Sequence, residues 1–250
     1  MSKKILIVHP YDKSTSFLDR IKSHLQTKFS EDCHYFNIKP QFSSHKQCLS
    51  EIDNFSHEGL ILFMGHGKSN CLYGAKGDFY GTLENELVKE ENPEKYFYED
   101  NFINDQNINI FNGKKVISLS CNSNGQIGRK AVEFGAKVFL GFGDLPTSVG
   151  ELEDKGEESK TGISLSTVEQ AIKTEINYII KRSIEIGIVK DYSFTQLHEI
   201  IQFISNQRIS HYLVDQKKIN ERKLIANYIY NFKKEIKIYG NKNEKLIEGS

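Results

Sequence analysis

Four short runs constrain this chain most: "KKILIVHP", "GLILFMG", "KKVISLSC" and "AKVFLGFG". Three hold a brief, unbroken apolar stretch without polar alternation; in "KKVISLSC" the only interruptions are the small Ser118 and Ser120. A strand half exposed to water alternates; a strand covered on both faces does not. Between these runs lie segments of helical spacing. Phe17, Leu18, Ile21, Leu25 and Phe29 recur through "SFLDRIKSHLQTKF", and Cys48, Leu49, Ile52 and Phe55 through "HKQCLSEIDNF". "NGQIGRKAVEFG" predicts a third helix, stopped by Gly135. "CHYFNI" adds a weaker strand. The order is β-α-β-α-β, an insert, then β-α-β. That order predicts an α/β fold with a mainly parallel sheet and helices on both faces.

The organisation expected is a catalytic-type α/β core over residues 1–145, interrupted by an acidic insert at about 75–112. A mobile loop at 146–162 follows, polar and acidic ("DLPTSVGELEDKGEESKTG" begins at Asp144). Residues 163–240 read as a helical extension packing on the core. Its stripes are Val168, Ile172, Ile176, Ile179 and Ile180, then Leu197, Ile200, Ile201 and Ile204, with "NERKLIANYIYNFKKEI" as a further helix. Residues 241–250 read as a flexible tail. Lys plus Arg and Asp plus Glu number 33 each, so overall charge gives no support to nucleic-acid binding. The first apolar run is too short for a signal peptide or a membrane span, so the expectation is a cytoplasmic protein without membrane contact. The four cysteines, Cys33, Cys48, Cys71 and Cys121, show no CxxC pair and no metal-ligand spacing, so free thiols are expected in a reducing compartment.

In parallel sheets, reactive groups gather at the carboxyl ends of strands. "GLILFMGHGKSN" places His66 at one such end, and "VISLSCNSNG" places Cys121 at another. The "GKS" in the first string is not a phosphate-binding loop, because Leu62 stands where that motif needs glycine. Glycines flank His66, which removes bulk and lets other chain approach closely. A histidine in a glycine-rich turn is, alone, an ordinary surface residue. A small buried thiol is likewise an ordinary core group. Together, at two strand ends of one sheet, they read as a base and a nucleophile. The "NSNG" after Cys121 opens the predicted helix, with Asn122, Ser123 or Asn124 as its cap. Proximity to that N-terminus is expected to lower the thiol's pKa. The backbone N–H groups of Gly67 and Cys121 are the expected oxyanion donors. His9 closes the first strand and is a minor candidate for the same edge.

With 55 residues from histidine to cysteine, "LILFMGHG" and "VISLSCNSNGQIGRKAVEFGAKVFLGFGD" together resemble the caspase-like (clan CD) cysteine peptidases. That group includes caspases, metacaspases, legumain, clostripain, gingipain and the bacterial CHAT domains, the last being most similar in the stretch after the cysteine. The resemblance covers about residues 1–145. It implies a three-layer sandwich with one antiparallel edge strand, His66 as base and proton donor, and Cys121 as nucleophile. It implies a protein substrate, no metal and no cofactor. Bacterial relatives act in defence and cell-death circuits, so a latent, regulated protease is expected; an activating ligand or partner protein is left open. Departures matter for specificity. Leu119, two residues before the cysteine and on the same face by strand alternation, stands where relatives often line the substrate pocket. Asp78 and Asp144 are the acids open to a cationic substrate residue, and Lys68 or Arg129 the cations open to an acidic one, with Lys68 on the cleft rim. Two alternatives stay open: a non-catalytic α/β module binding a ligand or nucleotide, and an interaction scaffold with a degenerate peptidase site.

Overall fold

A computed structural model describes residues 4–10, 12–75, 101–145, 147–156, 163–215 and 220–248. The apolar runs form a six-stranded sheet. Its strands are β1 (Ile5–Pro10), β2 (Cys33–Ile38), β3 (Leu60–Met64), β6 (Lys115–Leu119), β7 (Val138–Gly141) and β8 (Lys237–Gly240), in the order β2-β1-β3-β6-β7-β8. A separate hairpin, β4 (Gly67–Lys68) and β5 (Cys71–Leu72), follows β3 directly. All pairings in the main sheet are parallel except β7 with β8.

The unbroken apolar runs are explained by burial on both faces. Along β1 and β3, Ile5, Ile7, Leu60, Leu62 and Met64 enter one core, while Leu6, Val8, Ile61 and Phe63 enter the other. The second core is closed by α2 (Phe42–Asn54), α3 (Gln126–Glu133) and a 3-10 turn at Ile108–Phe111. The first is closed by α1 (Asp19–Lys28) and the C-terminal helices α5 (Leu165–Val189), α6 (Phe194–Ser210) and α7 (Arg222–Lys234). The sheet and the C-terminal helices therefore share one core. As expected, α3 stops at Gly135. Its φ is +98°, and a Cβ there would lie 2.2 Å from Asn112 Oδ1.

Three expectations are corrected. Part of the loop at 146–162 is ordered: α4 (Val149–Asp154) begins with a capping box between Ser148 and Glu151 and buries Leu152. Residues 237–240, assigned to the helical extension, form the antiparallel edge strand β8, which closes the open side of β7. Residues 241–248, expected to be a flexible tail, are held instead. Leu246 and Ile247 are buried, Leu246 N–H donates to Tyr192 O at 3.1 Å, and Glu248 N–H donates to Glu58 O at 3.2 Å. Of the acidic insert, residues 76–100 lie outside the described residues. Its end returns to the second core through Phe102, Ile103, Ile108 and Phe111. No helix among the described residues is long and apolar enough to cross a membrane.

Candidate active site

Strand register aligns the two predicted residues. Met64 on β3 pairs with Leu119 on β6, and Gly65 N–H still donates to Leu119 O at 3.2 Å. His66 and Cys121 each lie two residues beyond this pair, past the ends of these neighbouring strands. The hairpin after His66 then folds over the cysteine turn. A Cβ on Gly67 would lie 3.1 Å from Ser120 Oγ, so the bare backbone is what allows this approach. A Cβ on Gly65 would lie 3.2 Å from Pro10. The two glycines around His66 thus fit it between the ends of β1 and β6. Ser69, from "GKS", accepts hydrogen bonds from Ile127 N–H at its carbonyl (2.6 Å) and from Gln126 N–H at its hydroxyl (3.2 Å).

Serines shape the cysteine turn. Ser118, Ser120 and Ser123 are fully buried. Ser123 Oγ donates to Ser118 O at 2.7 Å and accepts from Phe142 N–H at 3.0 Å, and the Ser118 and Ser120 hydroxyls are 2.8 Å apart. Asn122 takes a left-handed φ of +55°, and its N–H donates to Gly143 O at 2.8 Å. This turn delays the helix. α3 starts only at Gln126, its N-cap is Gly125, and Ser69 takes up its first N–H groups. The expected activation of the thiol by a helix N-terminus is therefore corrected, as is capping by Asn122, Ser123 or Asn124. Burial pushes the Cys121 thiol up to about 11, and Glu151 and Asp144 add to the rise; the thiol donates to Leu145 O at 3.6 Å, a bond that only the protonated form can make. Cys121 therefore carries a protonated, half-buried thiol that touches the segment after β7. Cys121 and His66 share no hydrogen bond in this arrangement.

His66 is held from the other side, by two residues at the carboxyl end of β1. Ser14 Oγ lies 2.6 Å from His66 Nε2, and Asp12 Oδ2 lies 3.6 Å from the same atom. Asp12 Oδ1 accepts from Ser14 N–H at 2.7 Å and from Ser14 O–H at 2.6 Å. Burial alone would raise the Asp12 carboxyl. The nearby His66 imidazole and the hydrogen bonds from the Ser14 side chain and backbone outweigh it, and hold the group well below the usual carboxylate range. Asp12 and Ser14 were missed in the sequence. The signal was present, because "HPYDKS" follows a buried strand just as "GHG" and "SC" do. His9 has a different place. It is buried with Nε2 3.3 Å from Thr15 Oγ1 and Nδ1 3.6 Å from Asp19, and burial lowers its pKa.

The remaining candidates separate. Leu119 faces the same core as Cys121 but is 1% exposed, so it offers no surface to a substrate in this arrangement. Lys68 is exposed on the hairpin, with its ammonium 5.8 Å from the Tyr73 ring centre. Asp144 is ion-paired with Lys155, and its N–H donates to Glu235 at 3.0 Å. Asp78 lies outside the described residues. Gly67 and Cys121, the expected oxyanion donors, sit on the two segments that pack together at Ser120. Among the described residues no group of three or more His, Cys, Asp or Glu could hold a metal ion. Compared with known proteins, the chain matches no family model, no curated protein and no solved structure.

Proposed function

We propose that this chain is a cysteine endopeptidase of caspase-like design, latent in the arrangement described. The observation that carries the reading is that His66 and Cys121 each follow, by two residues, the paired ends of adjacent parallel strands, with the imidazole backed by Asp12 and Ser14. In the reaction, the Cys121 proton passes to His66 and the sulfur attacks the peptide carbonyl. The resulting oxyanion is met by backbone donors at Gly67 and Cys121. His66 then returns its proton to the leaving amine, and water hydrolyses the thioester. Latency is supported by the protonated thiol, half-buried against Leu145 and without a bond to His66. A regulated role, such as one in bacterial defence, accords with a nucleophile kept out of use.

The test is proteome-wide mapping of new N-termini in three forms of the protein: wild type, Cys121→Ala, and Ser148→Ala, which loosens the segment after β7. Cut sites in wild type or Ser148→Ala that vanish in Cys121→Ala are expected, and their flanking residues give the specificity. Identical N-termini in all three forms would count against peptidase activity and in favour of a binding module.

A further inference from the structure

We infer that Asp12 and Ser14 are positioning residues that fix the tautomer of His66, placing its proton on Nε2 and leaving Nδ1 as the basic atom. The argument is a count of protons. Ser14 Oγ is 2.6 Å from Asp12 Oδ1 and 2.6 Å from His66 Nε2, and a hydroxyl has one proton to share between them. An ionised carboxylate can only accept, so the Ser14 proton points to Asp12. Ser14 Oγ is then an acceptor toward the ring, and Nε2 must donate. The carboxylate is fixed in turn by Ser14 N–H at 2.7 Å, in a tight turn that returns the chain on itself within three residues. Its second oxygen, 3.6 Å from Nε2, keeps a negative charge beside the ring. The hydrogen bond made by one ring nitrogen decides the role of the other.

The inference deepens the peptidase reading, and its consequence for catalysis rests on that reading; the tautomer itself does not. In the reaction, the Sγ proton moves to Nδ1 and forms an imidazolium. Its Nε2–H stays on Ser14 and Asp12 stays ionised, so no proton travels along the relay. The Nδ1 proton later leaves with the amine. Positioning of this kind costs no reorganisation at the moment of proton transfer.

The test reads the ring nitrogens of His66 directly, by long-range proton–nitrogen correlation on the labelled full chain near neutral pH. His66→Ala identifies the signal among the eight histidines. A single Nε2-protonated tautomer is expected in wild type and in Ser14→Thr, which keeps the hydroxyl. A mixture of tautomers is expected in Ser14→Ala and Asp12→Ala, with the backbone amide spectrum confirming that each is folded. A proton on Nδ1 in wild type, or an unchanged tautomer in Ser14→Ala, overturns the inference. A second arm follows alkylation of Cys121, which should slow about tenfold or more in Ser14→Ala, toward the rate of His66→Ala. If His66→Ala itself leaves that rate unchanged, the peptidase reading fails while the tautomer result still decides this one.

Discussion

Cys121 shows how a residue's place in the fold can be read from sequence while its surroundings are misjudged. Its place was legible, because the carboxyl end of a buried strand is where side chains of a parallel sheet become available. Its protonation was not, because that depends on where the helix begins, and three buried serines and a left-handed Asn122 postpone α3 to Gln126. Asp12 and Ser14 were marked only by their place after a buried strand; an acid two residues before a serine in a loop otherwise looks the same whether it faces water or a histidine. The raised thiol makes a prediction with a definite sign. The folded protein keeps the Cys121 proton to a higher pH than the unfolded chain, whose thiols titrate at about 8.5. Its contribution to stability is complete below that value and is lost as pH rises through about 11. Denaturant titrations across this alkaline window should show wild type losing stability faster with pH than Cys121→Ala. Parallel slopes would mean that the thiol is not buried in this way.

At the scale of elements, the segment after β7 touches the cysteine turn. Gly143 O and Leu145 O hold the backbone of Asn122 and the thiol of Cys121, and α4 anchors the segment through Leu152 in the first core. The anchor is short. It depends on the Ser148–Glu151 box, in which Glu151 also accepts from Thr147 N–H at 2.7 Å and Ser148 N–H at 2.9 Å. That S-x-x-E spacing was readable as a helix start, but the glycines and charges around it speak for a loop, and six residues are too few to show a periodic apolar face. Removing the cap by Ser148→Ala should weaken α4 by about 1 kcal/mol. If α4 must lift for the thiol to be exposed, its open population, and with it the alkylation rate of Cys121, rises about fivefold. An equal rate in both proteins would show that some other motion uncovers the sulfur.

The candidate site draws on three loops distant in sequence. The strand order places β1, β3 and β6 side by side, so the loops carrying Asp12 and Ser14, His66, and Cys121 emerge at one edge. The alternation of chain and sheet was legible because both-face burial leaves its mark in every central strand. The closing strand was not. "KIYG" is four residues long, half exposed, and continues directly from a helix, so no periodicity separates it from its neighbours. Yet the C-terminal segment, from β8 to Glu248, is bound to the core at several points. β8 covers the edge of β7, Tyr239 O–H donates to Asn124 O at 2.5 Å beside the cysteine turn, and Leu246 and Ile247 complete the first core. Ending the chain at Ile236 removes all three. The open edge of β7 would then offer unpaired N–H and C=O groups to a second copy, and the cavity left by two buried aliphatic side chains would cost several kcal/mol, at about 2–5 for each. The truncated protein is therefore expected to melt lower than the full chain and to elute as higher oligomers in size-exclusion chromatography. A monomer of unchanged melting temperature would mean that the sheet is complete without its last strand, and that the C-terminal segment only decorates a core formed by the residues before it.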